Sequence, residues 1–385
     1  VAFGSTHRSD VQPADDFFLQ KLIAAKADVT CIFGKSWDLH VEQALRVSPD
    51  KNLEMIEGSI RHMAQSTGKP VFYDAEHFFD GFKSDPGYAL ATLQAATDAG
   101  AARVILCDTN GGALPREIYE IVSEVIASGI PGKNLGIHTH NDTENAVANT
   151  LMAVDAGVRH IQGTLNGLGE RCGNANLTSL IPTLILKEPY AGRFETGVSP
   201  HSLTGLTRLS GLLDDILNRV PARQAAYVGG SAFAHKAGLH ASAILKDPTT
   251  YEHVDPSVVG NARLIPMSNQ AGQSNLRKRL KEAGLSVAKD NPALGRILEV
   301  IKQREALGYS YDTAQASFEL LARKELDQLP RFFEVKRYRV SVERRKNKYN
   351  EMVSLSEAVV VVKVGDEKKL SVSESLDETG SDRGP

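Results

Sequence analysis

The sequence predicts an α/β protein built on a parallel, barrel-type sheet, and three observations carry that reading. Strand-like ends fall at Phe33, Ala75, Asp108, His140 and Thr164, separated by helical stretches at the interval of βα units. The spacing echoes itself: Asp98-Ala99-Gly100 leads to a strand and then Thr109-Asn110-Gly111, and Asp155-Ala156-Gly157 leads to a strand and then Leu165-Asn166-Gly167. Polar side chains gather where the strands end, which is where a parallel barrel presents its site. With Phe3 the count is six strands. A closed barrel of this type takes eight, so the expectation is that two further strands precede Val1.

The elements follow in order. Residues 1–5 read as a strand. Residues 15–25 read as a helix with Phe17, Phe18, Leu22 and Ile23 as its apolar stripe, 29–33 as a buried strand, and 39–47 as the opening of the next helix. Residues 71–75, 104–108 and 160–164 are strands, and 88–97 and 118–127 are helices. In 135–140, Leu135, Ile137 and Thr139 alternate with Gly136, His138 and His140, so the two histidines share one face of a strand. Asn141-Asp142-Thr143 offers N-cap chemistry to a helix closed by Gly157. Beyond 186 the pattern changes, with a connector at 189–200, helices at 203–217, 292–307 and 314–321, and strands around Tyr338, Val340 and Val342 and at 358–364. The expected organisation is a catalytic barrel at 1–188, linker subdomains at 189–329, the start of a small α+β regulatory domain at 330–372, and a disordered polar tail at 373–385.

Composition narrows the function classes. The chain has 385 residues, is 42% hydrophobic and carries a formal net charge of −3, which recommends neither nucleic acid nor an anionic membrane as partner. No apolar run approaches the roughly 20 residues that span a bilayer, and residues 1–5 lack a signal-peptide pattern. Cys31, Cys107 and Cys172 form no paired framework, and the expected location is the cytoplasm. Cys31 and Cys107, in apolar runs, read as plain core residues.

His138 and His140, two residues apart on one face, read either as half of a divalent-metal site or as a hydrogen-bonded pair at a strand end. Asn174 reads either as a further ligand or as a turn or N-cap residue. Thr109, in Asp108-Thr109-Asn110-Gly111, reads on its own as turn chemistry. Gly167, Gly169 and Gly173 beside Glu170 and Arg171 describe either a tight loop or amides freed for an anion.

His138-Thr139-His140-Asn141-Asp142, joined by one helix to Asn166-Gly167-Leu168-Gly169-Glu170-Arg171-Cys172-Gly173-Asn174, closely resembles the 2-isopropylmalate, citramalate and homocitrate synthases. These are acetyl-CoA-dependent Claisen condensation enzymes on a TIM barrel. Phe33-Gly34-Lys35-Ser36-Trp37-Asp38 and Tyr73-Asp74-Ala75-Glu76-His77 look most like the citramalate branch, and the resemblance runs to about Val364. It implies that pyruvate is the 2-oxo acid joined to acetyl-CoA in branched-chain amino-acid biosynthesis, with 2-oxoisovalerate and 2-oxoglutarate as the alternatives. It also implies a divalent cation (Mg²⁺, Mn²⁺ or Zn²⁺) held by His138, His140 and Asn174. Glu76 and Thr109 are implied to hold the 2-oxo acid, and Gly167, Gly169, Glu170 and Arg171 to lie against acetyl-CoA.

The resemblance makes His240 the base, with Tyr251 as its companion and His235 as a structural neighbour, and brings them from the partner subunit of a homodimer. The family's first strand bears an aspartate ligand and a charge-stabilising arginine. No equivalent follows Val1, so the chain as written is expected to be inactive. A lyase is disfavoured, because such enzymes carry a cysteine after the last strand where this chain has Leu165 and Asn166. A different class of reading is a non-catalytic barrel acting through dimerisation or effector binding.

Overall fold

The computed structural model describes residues 1–235, 240, 243–244, 246–264, 273–311, 314–330, 332–347, 349–365 and 367–377. It divides into two compact units, the first comprising Val1–His235 and Lys246–Leu264, the second Lys236–Leu245 and Ile265–Pro385.

The first unit carries six parallel strands in sequence order: β1 (Ala2–Ser5), β2 (Thr30–Lys35), β3 (Val71–Glu76), β4 (Arg103–Asp108), β5 (Leu135–Thr139) and β6 (His160–Gln162). On the outer face Ile32, Tyr73, Leu106, Leu135 and Ile137 are wholly buried against helices that contribute Ile56, Ile60, Met63, Phe79, Leu93 and Val122. The other face is concave. Gln162 of β6 donates to Asp74 of β3 at 2.9 Å, and the Phe72 and His160 rings lie 5.1 Å apart. A flat sheet would separate these strands by about 14 Å, three inter-strand spacings, so the sheet curls as a barrel wall does. Phe72, Asp74, His138, His160 and Gln162 thus line an interior.

Local chemistry explains the helices and corrects parts of the sequence reading. Asp16 caps the helix Phe17–Ala24 by accepting from the amides of Phe18 and Leu19. That register buries Leu19 and leaves Phe17 and Phe18 exposed, so the expected stripe shifts to Leu19, Leu22 and Ile23. After a helical turn and a π-turn at Val41–Leu45, Arg46 in the left-handed region breaks the path. The long helix Pro49–Thr67 then starts with Ser48 as cap and ends at Gly68. Phe78–Ser84 and Leu177–Leu186 are further helices, short or apolar all round, with no periodic stripe in the sequence to reveal them. The helix after β5 is Ala146–Ala156, preceded by Asn145, and Asn141 reaches it through Oδ1 to the Ala146 amide.

In the second unit, helices Gln273–Glu282, Ala293–Ala306 and Gln315–Glu325 share a core of Leu276, Leu280, Ile297, Ile301 and Phe318. An antiparallel sheet follows in the order β7 (Glu334–Lys346), β8 (Met352–Val364) and β9 (Glu367–Asp377). β9 continues as strand to Asp377, which corrects the expectation of a disordered tail from 373. The rest of that expected tail, 378–385, lies outside the described residues. Parallel pairing in one unit and antiparallel in the other is what βα alternation and direct strand-turn-strand links respectively produce.

Candidate active site

A cavity of about 370 Å³ opens at the C-terminal ends of the strands, lined by Phe3, Phe33, Asp74, Glu76, Cys107, Thr109, His138, His140, Glu170 and Arg171. Six of these, Glu76, Thr109, His138, His140, Glu170 and Arg171, are site residues expected from the sequence. The strand alternation of β5 sends Leu135, Ile137 and Thr139 into the outer core and leaves His138 and His140 half-buried on the inner side. Their ring centroids lie 5.2 Å apart. Burial, reinforced by His138 and Arg171, pushes the His140 imidazole down to about 4, so it is neutral at physiological pH. Its Nδ1 is buried and meets no protein partner, and the same holds for Asn174 Oδ1.

Asn174 stands beside His140 through a backbone bridge. Among the described residues no cluster of three or more His, Cys, Asp or Glu has the makings of a metal site. The donor set here is two imidazoles and an amide oxygen. Two imidazoles, with His140 held neutral, beside unsatisfied buried polar atoms make a set that a divalent cation completes, and the mix of N and O donors suits Mg²⁺, Mn²⁺ or Zn²⁺. The residues fit the group.

Thr109 Oγ1 accepts the His77 amide at 2.8 Å, which leaves its own proton for an acceptor in the cavity. Glu76, the last residue of β3, pairs with Lys35. Arg171 is held differently: it donates through Nε and an Nη to the two oxygens of Asp142, at 2.7 and 2.9 Å, and to the Thr109 carbonyl at 2.8 Å. This fork clamps the loop after β6 over the ends of β4 and β5. Gly111, with φ +63°, makes room for the clamp, since a Cβ there would come within 2.4 Å of Asp142 Oδ2.

The glycines of that loop serve its own path. The Gly167 and Gly173 amides donate to the carbonyls of Thr164 and Glu170, and a Cβ on Gly169 would lie 2.4 Å from Asn174 Oδ1. Asn166, in the left-handed region, donates to Asp214 and to the Ser210 carbonyl and so acts as a structural amide.

A family model described as HMGL-like matches residues 2–209, more than half of the chain. The chain belongs to the HMGL-like family. A second model, the homocitrate synthase post-HMGL domain-like, matches residues 227–307. The (R)-citramalate synthase of Geobacter sulfurreducens is 47% identical over 365 residues, covering 95% of this chain and 67% of that protein. The (R)-citramalate synthase of Aquifex aeolicus is 46% identical, with coverages of 94% and 67%. The 2-isopropylmalate synthase of Heliobacterium modesticaldum is 35% identical, covering 65% of this chain and 48% of that protein. No described helix is long and apolar enough to cross a membrane.

Beyond the HMGL-like barrel, His240 lies half-buried in the second unit, while Tyr251 lies in the first and is exposed. Around His240, residues 236–239, 241–242 and 245 of the expected stretch 231–245 lie outside the described residues. His235 stands 3.3 Å from buried Glu252, which also holds Arg263, in keeping with a structural role.

Sequence reasoning passed over Asp74, Gln162 and Cys31, which the structure joins in the barrel interior. Cys31 is buried as expected, yet its thiol bonds a carboxylate rather than packing as a plain apolar group. The signal was present: Phe72, Asp74 and Glu76 alternate, placing Asp74 on the face of Glu76.

Proposed function

We propose that the protein is an (R)-citramalate synthase, joining the acetyl group of acetyl-CoA to pyruvate in branched-chain amino-acid biosynthesis. The observation that carries this is the convergence of His138, His140, Thr109 and Glu76 on one cavity in a chain nearly half identical to (R)-citramalate synthases over 95% of its length. The lower identity and coverage of the 2-isopropylmalate synthase support pyruvate over a branched 2-oxo acid.

His138, His140 and Asn174 would hold a divalent cation, which would supply Lewis acidity toward the 2-oxo acid. Thr109 donates its hydroxyl proton to the substrate carboxylate, and Glu76 positions the ketone end with Lys35 as its partner. Phe3 and Phe33, stacked at 5.5 Å, wall one side of the cavity. Glu170 and the clamped Arg171 shape the mouth on the acetyl-CoA side. His240, with Tyr251 as its companion in the reaction, removes a proton from the acetyl methyl group. The methyl carbon bonds to the ketone carbon, the ketone oxygen takes up a proton, and water cleaves the thioester to release CoA and citramalate. His240 and Tyr251 act from the partner subunit of a homodimer. The three unpaired cysteines support a reducing, cytoplasmic setting.

The test is CoA release by the protein with pyruvate, 2-oxoisovalerate and 2-oxoglutarate in turn. Pyruvate is expected to give the highest kcat/KM, and preference for either of the others overturns the substrate assignment. His240→Asn is expected to lower kcat by about 10²- to 10⁴-fold while pyruvate binding persists. Retained turnover removes His240 from the role of base.

A further inference from the structure

Gln162 sits between an acid and a base. Its Nε2 lies 2.9 Å from Asp74 Oδ1, and its Oε1 lies 2.8 Å from His138 Nδ1. The Cys31 thiol donates to the same Asp74 oxygen at 3.0 Å. Asp74 is only 4% exposed, and burial together with the Asp74 charge raises Cys31 well above the usual thiol range, so the sulfur keeps its proton and acts as donor. A primary amide has a donor end and an acceptor end. The Asp74 oxygen, already receiving the thiol proton, accepts. The amide therefore turns its NH₂ toward Asp74 and its carbonyl toward His138, and a carbonyl facing a neutral imidazole nitrogen requires a proton on that nitrogen.

We propose that Gln162 is a positioning residue that holds His138 in the Nδ1–H tautomer, leaving its lone pair on Nε2, and that Asp74 and Cys31 fix the amide in the orientation that does so. The consequence for metal binding rests on the reading of His138 as a ligand. A free imidazole favours the proton on Nε2, so the relay reverses the default and presents a basic nitrogen at the ring edge away from Gln162. It draws on three strands, β2, β3 and β6, to set one proton on β5.

The test is ring-¹⁵N histidine NMR of the metal-free protein at pH 8, with His138→Gln used to assign the His138 resonances. The expected pattern is a pyridine-like Nε2 and a pyrrole-like Nδ1. Gln162→Met, which keeps the volume and removes the carbonyl, is expected to move the proton to Nε2 and to weaken Mn²⁺ binding in calorimetry by roughly 10- to 100-fold. Gln162→Glu is expected to retain the wild-type pattern, because a carboxyl oxygen still accepts from Nδ1–H while one proton is shared with Asp74. A filling role would instead tolerate Met better than Glu. A wild-type spectrum with the proton on Nε2, or a Gln162→Met spectrum unchanged from wild type, overturns the proposal. If the Met variant does not fold, the wild-type spectrum alone decides. The proposed spectrum in a protein that takes up no Mn²⁺ sustains the relay and overturns the metal reading of the site.

Discussion

Two strands with the same written rhythm meet opposite surroundings. In β5, Leu135, Ile137 and Thr139 alternate with glycine and histidine and are wholly buried. In β7, Tyr338, Val340 and Val342 alternate with charged and polar residues and are 72%, 49% and 47% exposed. Alternation therefore specifies a pleat and two faces, and says nothing of what covers either face. β5 lies between β4 and β6 with helices over its outer side. β7 is the edge of a three-stranded sheet and has β8 alone as neighbour.

The largest expected effect separates these two strands directly. Ile137→Ala should lower the stability of the first unit by about 2–5 kcal/mol in denaturant unfolding, the usual cost of a cavity in a filled core. A loss no greater than that of a surface substitution would show that β5 is not the core strand its burial indicates.

Next comes the clamp on the β6 loop. Arg171→Lys keeps the charge and loses the fork, with an expected cost of up to about 1 kcal/mol because the pair is partly exposed. Faster amide hydrogen exchange at Gly173 and Asn174 would register it, and unchanged exchange would assign the loop's order to its backbone bonds alone.

Acid should act on the first unit through its buried histidines. Burial holds His40, His160 and His253 below the usual histidine range. Each is neutral in the folded state at pH values where the unfolded chain would already bind a proton. Their contribution is thus full above the ordinary value near 6.5 and is lost as pH falls through the lower folded values. Asp74 and Asp108, raised by burial, work in the opposite sense. The contrast to measure is therefore between variants: His160→Gln should flatten the fall in melting temperature from pH 7 to 5, and an identical slope would contradict the burial argument.

The smallest effect belongs to the edge strand. Val340→Ser should change stability by no more than about 0.5 kcal/mol, and a larger loss would mean that a covering partner occupies that face in solution.

The parallel sheet, its strand order and the histidine pair were legible because they rest on short-range patterns: alternation in 135–140, glycine closure at Gly157, and turn residues after each strand. The helices Phe78–Ser84 and Leu177–Leu186 were not, because a helix buried on most sides leaves no polar face to mark its period. The clamp of Arg171 on Asp142 and the link from Asp74 to Gln162 were beyond reach for another reason. They join residues 29 and 88 positions apart, and only the curvature of the sheet decides that they meet. Arg171 read from the sequence only as part of a loop against acetyl-CoA, and its pairing with the Asp142 carboxylate is visible in the fold alone. The extent of β9 was hidden by its polar composition, since an antiparallel neighbour rather than burial organises it.

The return of the chain after β6 has a consequence for how the family can vary. Residues 173–177 lie between the tips of β5 and β6: the Asn141 amide donates to Gly173, Ala175 to Thr139, Thr164 to Ala175, and Leu177 to Thr164. The segment works as a wedge that keeps two diverging strands apart while bonding to both. Both edges of the wedge are in fixed register, so adding or deleting a residue between Thr164 and Leu177 would slide Asn174 off His140 and carry Arg171 away from Asp142. A change of length should therefore be tolerated less within this stretch than an exchange of its side chains.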